Sequence, residues 1–197
     1  MQDKRKLKGQ KTRKRILEAA KKVIEKEGFR AVSTRRIAQL AGISQSSLYH
    51  HFATSDEIIM ASLVHRAQGN LSTLDLNSYD DLAVFMTDLF ALSLKSATGT
   101  DGSNYFALMD KARTDENFGQ MMIDFAKRMN DWMKEGIIHI HGRPIPSDKL
   151  EPILFSFTLM REGLINHLQL FGDQTPYKEP VQIAAKVFQL FVASLED

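Results

Sequence analysis

The sequence predicts an all-α fold of about nine helices. Apolar residues recur at spacings of three and four along most of the 197 residues, which places them on one side of each helix. The alternation of apolar and polar residues that is typical of a half-buried strand never persists for more than a few residues. Together these patterns predict a chain of amphipathic helices that pack against one another.

The composition excludes several kinds of chemistry. The chain has no cysteine, so disulfides, cysteine-ligated metals and thiol catalysis are excluded, and a reducing compartment such as the cytoplasm is expected. No stretch approaches the roughly 20 apolar residues that span a bilayer, so we expect no membrane partner. No glycine-rich phosphate loop, nucleophile elbow or carboxylate pair stands out. We therefore expect neither an enzyme nor a cofactor or metal site.

Charge is divided unevenly along the chain. Residues 1–51 contain 14 Lys and Arg against 4 Asp and Glu, whereas residues 52–197 contain 12 against 20, so the net charge of +2 combines +10 with −8. Such a segment indicates contact with a polyanion. Nucleic acid fits better than a membrane surface, because the segment has few large apolar residues. Residues 1–9 are expected to be a flexible basic arm, either a solubilising tail or a contact to DNA phosphates.

Three helices are predicted before residue 53. The first covers residues 12–27, with Thr12 as its N-cap and Gly28 just past its end. Ser33 and Ser44 are the predicted N-caps of the next two helices, which are short.

The two short helices have the layout of a helix-turn-helix over residues 33–52. They cover residues 34–40 and 45–51, and Gly42 between them tolerates the positive φ of a sharp turn. The small side chain of Ala38 lets them pack closely. In such a unit the second helix is free to enter the major groove of DNA.

The rest of the chain also has a helical pattern. Thr54 and Glu57 have the spacing of a capping box and open a fourth helix. Five further helices are predicted over residues 80–97, 104–113, 116–138, 149–171 and 180–195.

The run from Thr12 to about Leu63 resembles, without a gap, the DNA-binding domain of TetR-family transcriptional regulators. The resemblance implies a homodimer. In each subunit, residues 10–54 would be the helix-turn-helix DNA-binding domain, and residues 55–197 a larger helical domain for effector binding and dimerisation. The elements that carry the resemblance stand in the family's order: Arg15-Ile16-Leu17, Ala19-Ala20, Gly28-Phe29, Ile37-Ala38, Ala41-Gly42-Ile43-Ser44 and Leu48-Tyr49-His50-His51-Phe52.

DNA contacts are expected from two short segments. Glutamine can bond adenine through two hydrogen bonds, serine can bond any base, and tyrosine and serine also bond phosphates. From the second short helix the expected contacts are Ser44, Gln45, Ser46, Ser47, Tyr49 and His50. The resemblance implies Thr34 and Arg35 as further contacts, and Arg36 adds charge where the family often has an acidic residue. Ser55 departs from the family, which usually has lysine there.

The remainder of the chain is rich in large apolar residues. Residues after 52 contain 10 of the 12 Phe, 8 of the 9 Met and the single Trp. These residue types fill ordinary cores and also line adaptable pockets. The resemblance implies an effector cavity, for which the expected lining residues are Tyr105, Met109, Phe125, Met129, Trp132, Phe155, Leu159, Asn166 and His167.

The last two predicted helices, residues 149–171 and 180–195, are apolar on more than one face. A helix of this kind in a small domain usually lies at an interface. Gly163 would let a partner helix approach, and Phe188 is expected near the centre of the interface. The resemblance implies that the two helices form a four-helix bundle with those of the partner subunit.

These observations predict a cytoplasmic, dimeric, TetR-like repressor. It would bind a palindromic site in double-stranded DNA and be released by a small apolar effector. Two alternatives stay open at this point. One is a sequence-tolerant architectural DNA-binding protein without an effector, and the other is a helical enzyme or adaptor on the same fold.

Overall fold

The computed structural model describes residues 2–98, 102–174 and 179–196. Within these ranges the chain forms nine α-helices and no strand, so the predicted fold class is confirmed. The helices are α1 Gln2–Glu27, α2 Thr34–Ala41, α3 Gln45–Tyr49, α4 Ser55–Leu71, α5 Leu82–Thr98, α6 Gly102–Thr114, α7 Glu116–His141, α8 Ser147–Phe171 and α9 Pro180–Glu196.

The first helix is longer than predicted. It begins at Gln2, and Thr12 lies inside it with its hydroxyl donating to the carbonyl of Lys8 at 3.1 Å. The prediction of a flexible arm over residues 1–9 is therefore wrong for the described residues. Lys, Arg, Gln and Leu are all good helix formers, so a helix nucleated on the buried residues from Ile16 onward can extend backward without a cap.

The chain divides into two compact units. Unit 1 comprises Met1–Gly69 and Phe106–Met122, and unit 2 comprises Asn70–Tyr105 and Ile123–Asp197. Helices α6 and α7 thus contribute residues to both units.

Unit 1 is organised around α1. This helix packs against α2 and against the 3₁₀ turn Phe29–Ala31, and α2 packs against α3. One aliphatic side chain from each of α1 to α4 is completely buried, namely Ile16, Ile37, Leu48 and Ile58. Burial of a side chain of this size contributes about 1.5–3 kcal/mol, so these contacts hold two short helices that would not be stable alone.

Unit 2 has an aromatic core. Helix α5 packs against α8 and α9, and their rings meet in a triangle of Phe90, Phe157 and Phe188 with centroids 5.4–5.5 Å apart. Phe188 is completely buried in this triangle, so its predicted place at the centre of a subunit interface is wrong. The sequence pattern showed that α9 is apolar on more than one face but could not show which face turns inward.

Candidate nucleic-acid interface

The turn between α2 and α3 is built on Gly42. Its φ of 62° and ψ of 43° lie in the left-handed region, and the amide of Ile43 closes the turn on the carbonyl of Ala38 at 3.0 Å. The guanidinium of Arg15 donates to the carbonyls of Ala41 and of Gly42, the latter at 3.2 Å. A Cβ at position 42 would stand 3.1 Å from Arg15 Nη2, so glycine serves both the backbone angle and this close approach.

Both predicted N-caps are present. Ser33 Oγ accepts from the amide of Arg36 at 3.3 Å, and Ser44 Oγ accepts from the amide of Ser47 at 3.1 Å. Since a hydroxyl that accepts can still donate, Ser44 caps α3 and keeps its O–H available for another acceptor.

The exposed face of α3 presents polar side chains. Gln45, Ser46, Tyr49 and His50 are exposed, and Ser47 is half-buried. The side chains of Gln45, Ser46 and His50 make no hydrogen bond or ion pair with any other described residue. On the opposite side, Leu48 is fixed in the core. Helix α3 therefore offers free donors and acceptors on the surface that the sequence predicted would read DNA.

Thr34 at the start of α2 meets Tyr49 at the end of α3. Their hydroxyl oxygens are 3.2 Å apart, within hydrogen-bond distance, and the Tyr49 side chain remains about half exposed. Two residues predicted as DNA contacts from different helices are thus brought together on one surface.

Two neighbouring arginines of α2 have different surroundings. Arg35 is exposed and has no ion-pair partner among the described residues. Arg36 is hydrogen-bonded to the carboxylate of Glu27 in α1, and about two fifths of its side chain is exposed. The sequence predicted that the positive charge of Arg36 would contact DNA. Part of this charge is already balanced by Glu27.

Two arginines near the middle of α1, Arg13 and Arg15, contact the helix-turn-helix. Arg13 donates to the carbonyl of His51 at 3.3 Å and its guanidinium lies 4.2 Å from the centroid of the Phe52 ring. Sequence reasoning missed the anchoring roles of Arg13 and Arg15. The sequence does contain a sign of these roles. Three consecutive cations stand in the helix turn just before the buried Ile16, so some of them must lie close to the core.

Four lysines in the first half of α1 face solvent. Lys6, Lys8, Lys11 and Lys14 are all exposed. Because α1 is helical back to Gln2, these charges lie at fixed positions along a helix and not on a loose chain. Such a row of cations can bind the phosphates of a duplex without regard to sequence.

The capping box predicted after α3 is confirmed. Thr54 Oγ1 accepts from the amide of Glu57 at 3.1 Å, and Glu57 Oε2 accepts from the amide of Ala53 at 2.7 Å. The reciprocal bonds fix the first turn of α4 directly after the buried Phe52, which limits how α3 and α4 can move relative to each other.

The residues predicted to line an effector cavity are not all brought together. Tyr105 and Trp132 pack, partly buried, against the core of unit 2, and Phe125 and Met129 are half-buried on α7. Met109 belongs to unit 1.

The predicted lining residues of α8 are divided between surface and interior. Phe155 and Leu159 are 64% and 53% exposed, and Asn166 is exposed as well. His167 is half-buried, with its ring 4.5 Å from that of Phe171. The structure therefore places Phe155, Leu159 and Asn166 on the outer side of α8.

The charged side chains of Glu162 and Arg161 lie near Tyr105 in unit 2. Burial raises the pKa of Tyr105, the carboxylate of Glu162 raises this pKa further, and Arg161 lowers it. The phenol therefore stays protonated and can donate a hydrogen bond at neutral pH.

Large apolar side chains are exposed on both α8 and α9. Five of them are Phe155, Leu159 and Leu170 on α8 and Ile183 and Leu190 on α9. A Cβ added at Gly163 on α8 would meet no atom within 4 Å. We call these five apolar residues the outer stripe.

The described helices include none long and apolar enough to cross a membrane. In the same ranges, no group of three or more His, Asp or Glu side chains is placed to hold a metal ion.

Comparison with known proteins identifies the first domain. The model of bacterial regulatory proteins of the tetR family matches residues 16–61, which include all of α2 and α3. The helix-turn-helix (HTH) regulator YvkB of Bacillus subtilis strain 168 is 24% identical over 164 residues, covering 76% of this chain and 82% of YvkB. The HTH-type repressor KstR2 of Mycobacterium tuberculosis H37Rv is 46% identical over 44 residues, or 22% of each protein.

Solved structures share the whole fold. A TetR transcription regulator from Haloarcula marismortui superposes with a TM-score of 0.66 at 14% identity, covering 94% of this chain and 98% of that one. The multidrug binding protein EbrR in complex with imidazole gives 0.58 at 18% identity, with 91% and 93% covered. The comparisons thus identify residues 16–61 as a helix-turn-helix domain of the tetR family, and they show that the chain shares the fold of solved TetR regulators.

Proposed function

We propose that this chain is a cytoplasmic repressor that binds a palindromic site in double-stranded DNA as a homodimer and releases it on binding a small apolar effector. The observation that carries the proposal is the surface of α2 and α3. There the free side chains of Arg35, Gln45, Ser46 and His50 adjoin the paired hydroxyls of Thr34 and Tyr49. This surface belongs to residues 10–54, which we propose as the DNA-reading domain.

The proposed contacts divide into base readers and phosphate binders. Gln45 at the start of α3 suits the two-bond contact to an adenine edge, and Arg35 suits a guanine or a phosphate. Tyr49 and the exposed lysines of α1 suit phosphates, which fix register and supply affinity without reading sequence. Arg36 contributes less than Arg35, because Glu27 already accepts its hydrogen bond.

The outer stripe supports a homodimer through residues 149–171 and 180–195, within the proposed second domain of residues 55–197. Its members Phe155 and Leu190 are 64% and 71% exposed, and burial of each large apolar side chain is worth about 1.5–3 kcal/mol. A twofold axis would cover the stripe with its own copy, as one self-complementary patch. It would also hold two α3 helices at the spacing that a palindrome requires.

Release by an effector rests on the second domain and on neighbours of the same fold. EbrR, by its description, binds several drugs and was solved with imidazole and also with proflavin. In this chain we propose that Tyr105, Phe125, Met129 and Trp132 contact the effector. Phe155 and Leu159 are assigned instead to the dimer, because they face outward. A ligand that prefers one state by 1–3 kcal/mol of coupling, a typical value, would suffice to shift DNA binding.

Selection from a pool of random duplexes tests the proposed function. The full chain is incubated with the pool, and bound duplexes are recovered and sequenced over several rounds. We expect two inverted half-sites whose centres are separated by about one helical turn, 34–36 Å, or a multiple of it. Recovery of duplexes without any shared sequence would favour the architectural DNA-binding protein, and failure to retain any duplex would favour the enzyme or adaptor.

A further inference from the structure

A partly exposed ion cluster joins α4 to the turn between α6 and α7. The ammonium of Lys111 in α6 lies 2.8 Å from Asp115 Oδ2, 3.3 Å from Asp56 Oδ2 and 4.9 Å from the centroid of the Phe118 ring. The Lys111 and Asp56 side chains are each 29% exposed. All four residues belong to unit 1, together with the helices proposed to read DNA.

The α6–α7 end of this cluster is tightly built. Asp115 Oδ1 accepts from the amide of Phe118 at 3.0 Å, and the ring of Phe118 is almost completely buried. A Cβ at Gly119 would stand 2.6 Å from the carbonyl oxygen of Ala112, so the first turn of α7 touches the last turn of α6. The turn therefore has little freedom, and it holds Lys111 in place.

The charges of the cluster reinforce one another. The hydrogen bond between Lys111 and Asp115 is the main reason why the pKa of Lys111 is raised and that of Asp115 is lowered. Both groups are therefore charged across the neutral range.

At its other end the cluster reaches the turn that follows α3. Asp56 lies in the first turn of α4, next to Glu57, which closes the capping box on the amide of Ala53. The amide of Phe52 in turn donates to the carbonyl of Leu48 in α3 at 3.0 Å. A short series of bonded residues thus leads from the Lys111 ammonium to the helix proposed to enter the groove.

We propose that Lys111 is a positioning residue for DNA recognition: by holding Asp56 against the α6–α7 turn it fixes the first turn of α4 and, through the capping box, the orientation of α3. The proposal rests on the proposed DNA-binding function. A recognition helix that is already ordered loses less conformational freedom on binding, so the cluster raises affinity without touching DNA.

The test uses the full chain, the duplex enriched in the selection described above and four single variants. Lys111→Met and Asp56→Asn each remove one side of the cluster, Lys111→Arg keeps the charge, and Arg113→Met removes an exposed cation two residues away. Arg113 is a matched control because its side chain is 80% exposed and pairs only distantly, at 4.0 Å, with Asp110. Exposed ion pairs typically change an equilibrium by up to about fivefold, which sets the expected scale.

An effect of net charge and an effect of positioning predict opposite changes in DNA affinity for Asp56→Asn. If net charge were the whole effect, Asp56→Asn would tighten binding to the anionic duplex, whereas positioning predicts that Asp56→Asn and Lys111→Met both weaken it by about three- to fivefold. Lys111→Arg should retain most of the affinity and Arg113→Met should change it less than Lys111→Met. A protein that combines Lys111→Met with Asp56→Asn should bind DNA little more weakly than either single variant, because the two residues act through one contact.

Hydrogen exchange of the free protein gives a second, DNA-independent readout. Amides of residues 53–60 should exchange faster in Lys111→Met and Asp56→Asn than in the wild type, with no change in Arg113→Met. Unchanged exchange in this segment, or tighter DNA binding by Asp56→Asn, would overturn the proposal. If exchange accelerates as expected but the wild type retains no duplex in the selection, Lys111 still positions the turn and the proposed DNA-binding function is what fails.

Discussion

The hydroxyls of Thr34 and Tyr49 lie 3.2 Å apart and join the first residue of α2 to the last residue of α3. This bond makes the two halves of the helix-turn-helix one surface. One of the two hydroxyls keeps its proton available for a phosphate, because the pair needs only one donor.

Removing the Tyr49 hydroxyl should weaken binding to every duplex alike. Tyr49→Phe keeps the ring but loses both the bond to Thr34 and the proposed phosphate contact, and a hydrogen bond to a charged group is typically worth about 1.5–3 kcal/mol. Equilibrium binding to the selected duplex and to its single-base variants measures the loss. A change in base preference at one position would instead assign Tyr49 to base reading.

Replacing Gln45 should instead weaken binding at one base position and not for every duplex alike. Gln45→Ala is expected to cost about 1–3 kcal/mol at one base pair of each half-site and to relax the preference there. The same set of single-base variants provides the measurement, with Tyr49→Phe as the comparison. Equal losses at all positions would contradict the base-reading role of Gln45.

The helix-turn-helix could be predicted from the sequence because its determinants are local. Ser33 and Ser44 accept from amides three positions away, and the amide of Gly42 donates to the carbonyl of Gln39, so these residue types indicate the turn and both helix starts. The capping box of Thr54 and Glu57 is local in the same sense.

Features set by distant residues could not be predicted. The partner of Arg36 is Glu27, nine residues earlier, and Lys111 pairs not only with the nearby Asp115 but also with Asp56, 55 residues earlier. The inward orientation of Phe188 depends on how α9 rotates against α5, because α9 offers apolar residues on more than one side. Periodicity indicates that an apolar face exists but leaves its partner undetermined.

A charge in the outer stripe should disrupt the dimer. Leu190 is 71% exposed, so Leu190→Glu should leave the fold of the subunit intact while placing a carboxylate in the proposed interface. We expect sedimentation as a monomer and a large loss of affinity for the palindromic duplex, with unchanged helical circular dichroism. Gln189→Glu, the same charge on the adjacent exposed residue, is the control. A Leu190→Glu protein that still sediments as the wild type does would refute the assignment of this face.

Two glycines of the helices should respond oppositely to alanine. A Cβ at Gly136 would stand 3.0 Å from Phe85 Cζ and 3.5 Å from Leu76 Cδ2, whereas one at Gly69 would meet nothing within 4 Å. Overpacking costs about 1–3 kcal/mol, against a helix-propensity gain of about 0.5–1 kcal/mol. Urea denaturation should therefore show that Gly136→Ala lowers the free energy of unfolding and that Gly69→Ala raises it. A stabilised Gly136→Ala variant would mean that Phe85 can move aside at little cost.

The salt dependence of DNA binding by the wild-type chain tests the central claim most directly. Dissociation constants for the selected duplex are measured between about 50 and 200 mM salt, where each phosphate neutralised contributes a slope of about −0.9 to log K against log salt. The exposed cations of α1 together with Arg35 predict that a dimer neutralises on the order of 6–10 phosphates, which gives a slope of about −5 to −9. A slope near zero would contradict the assignment of this basic surface to DNA.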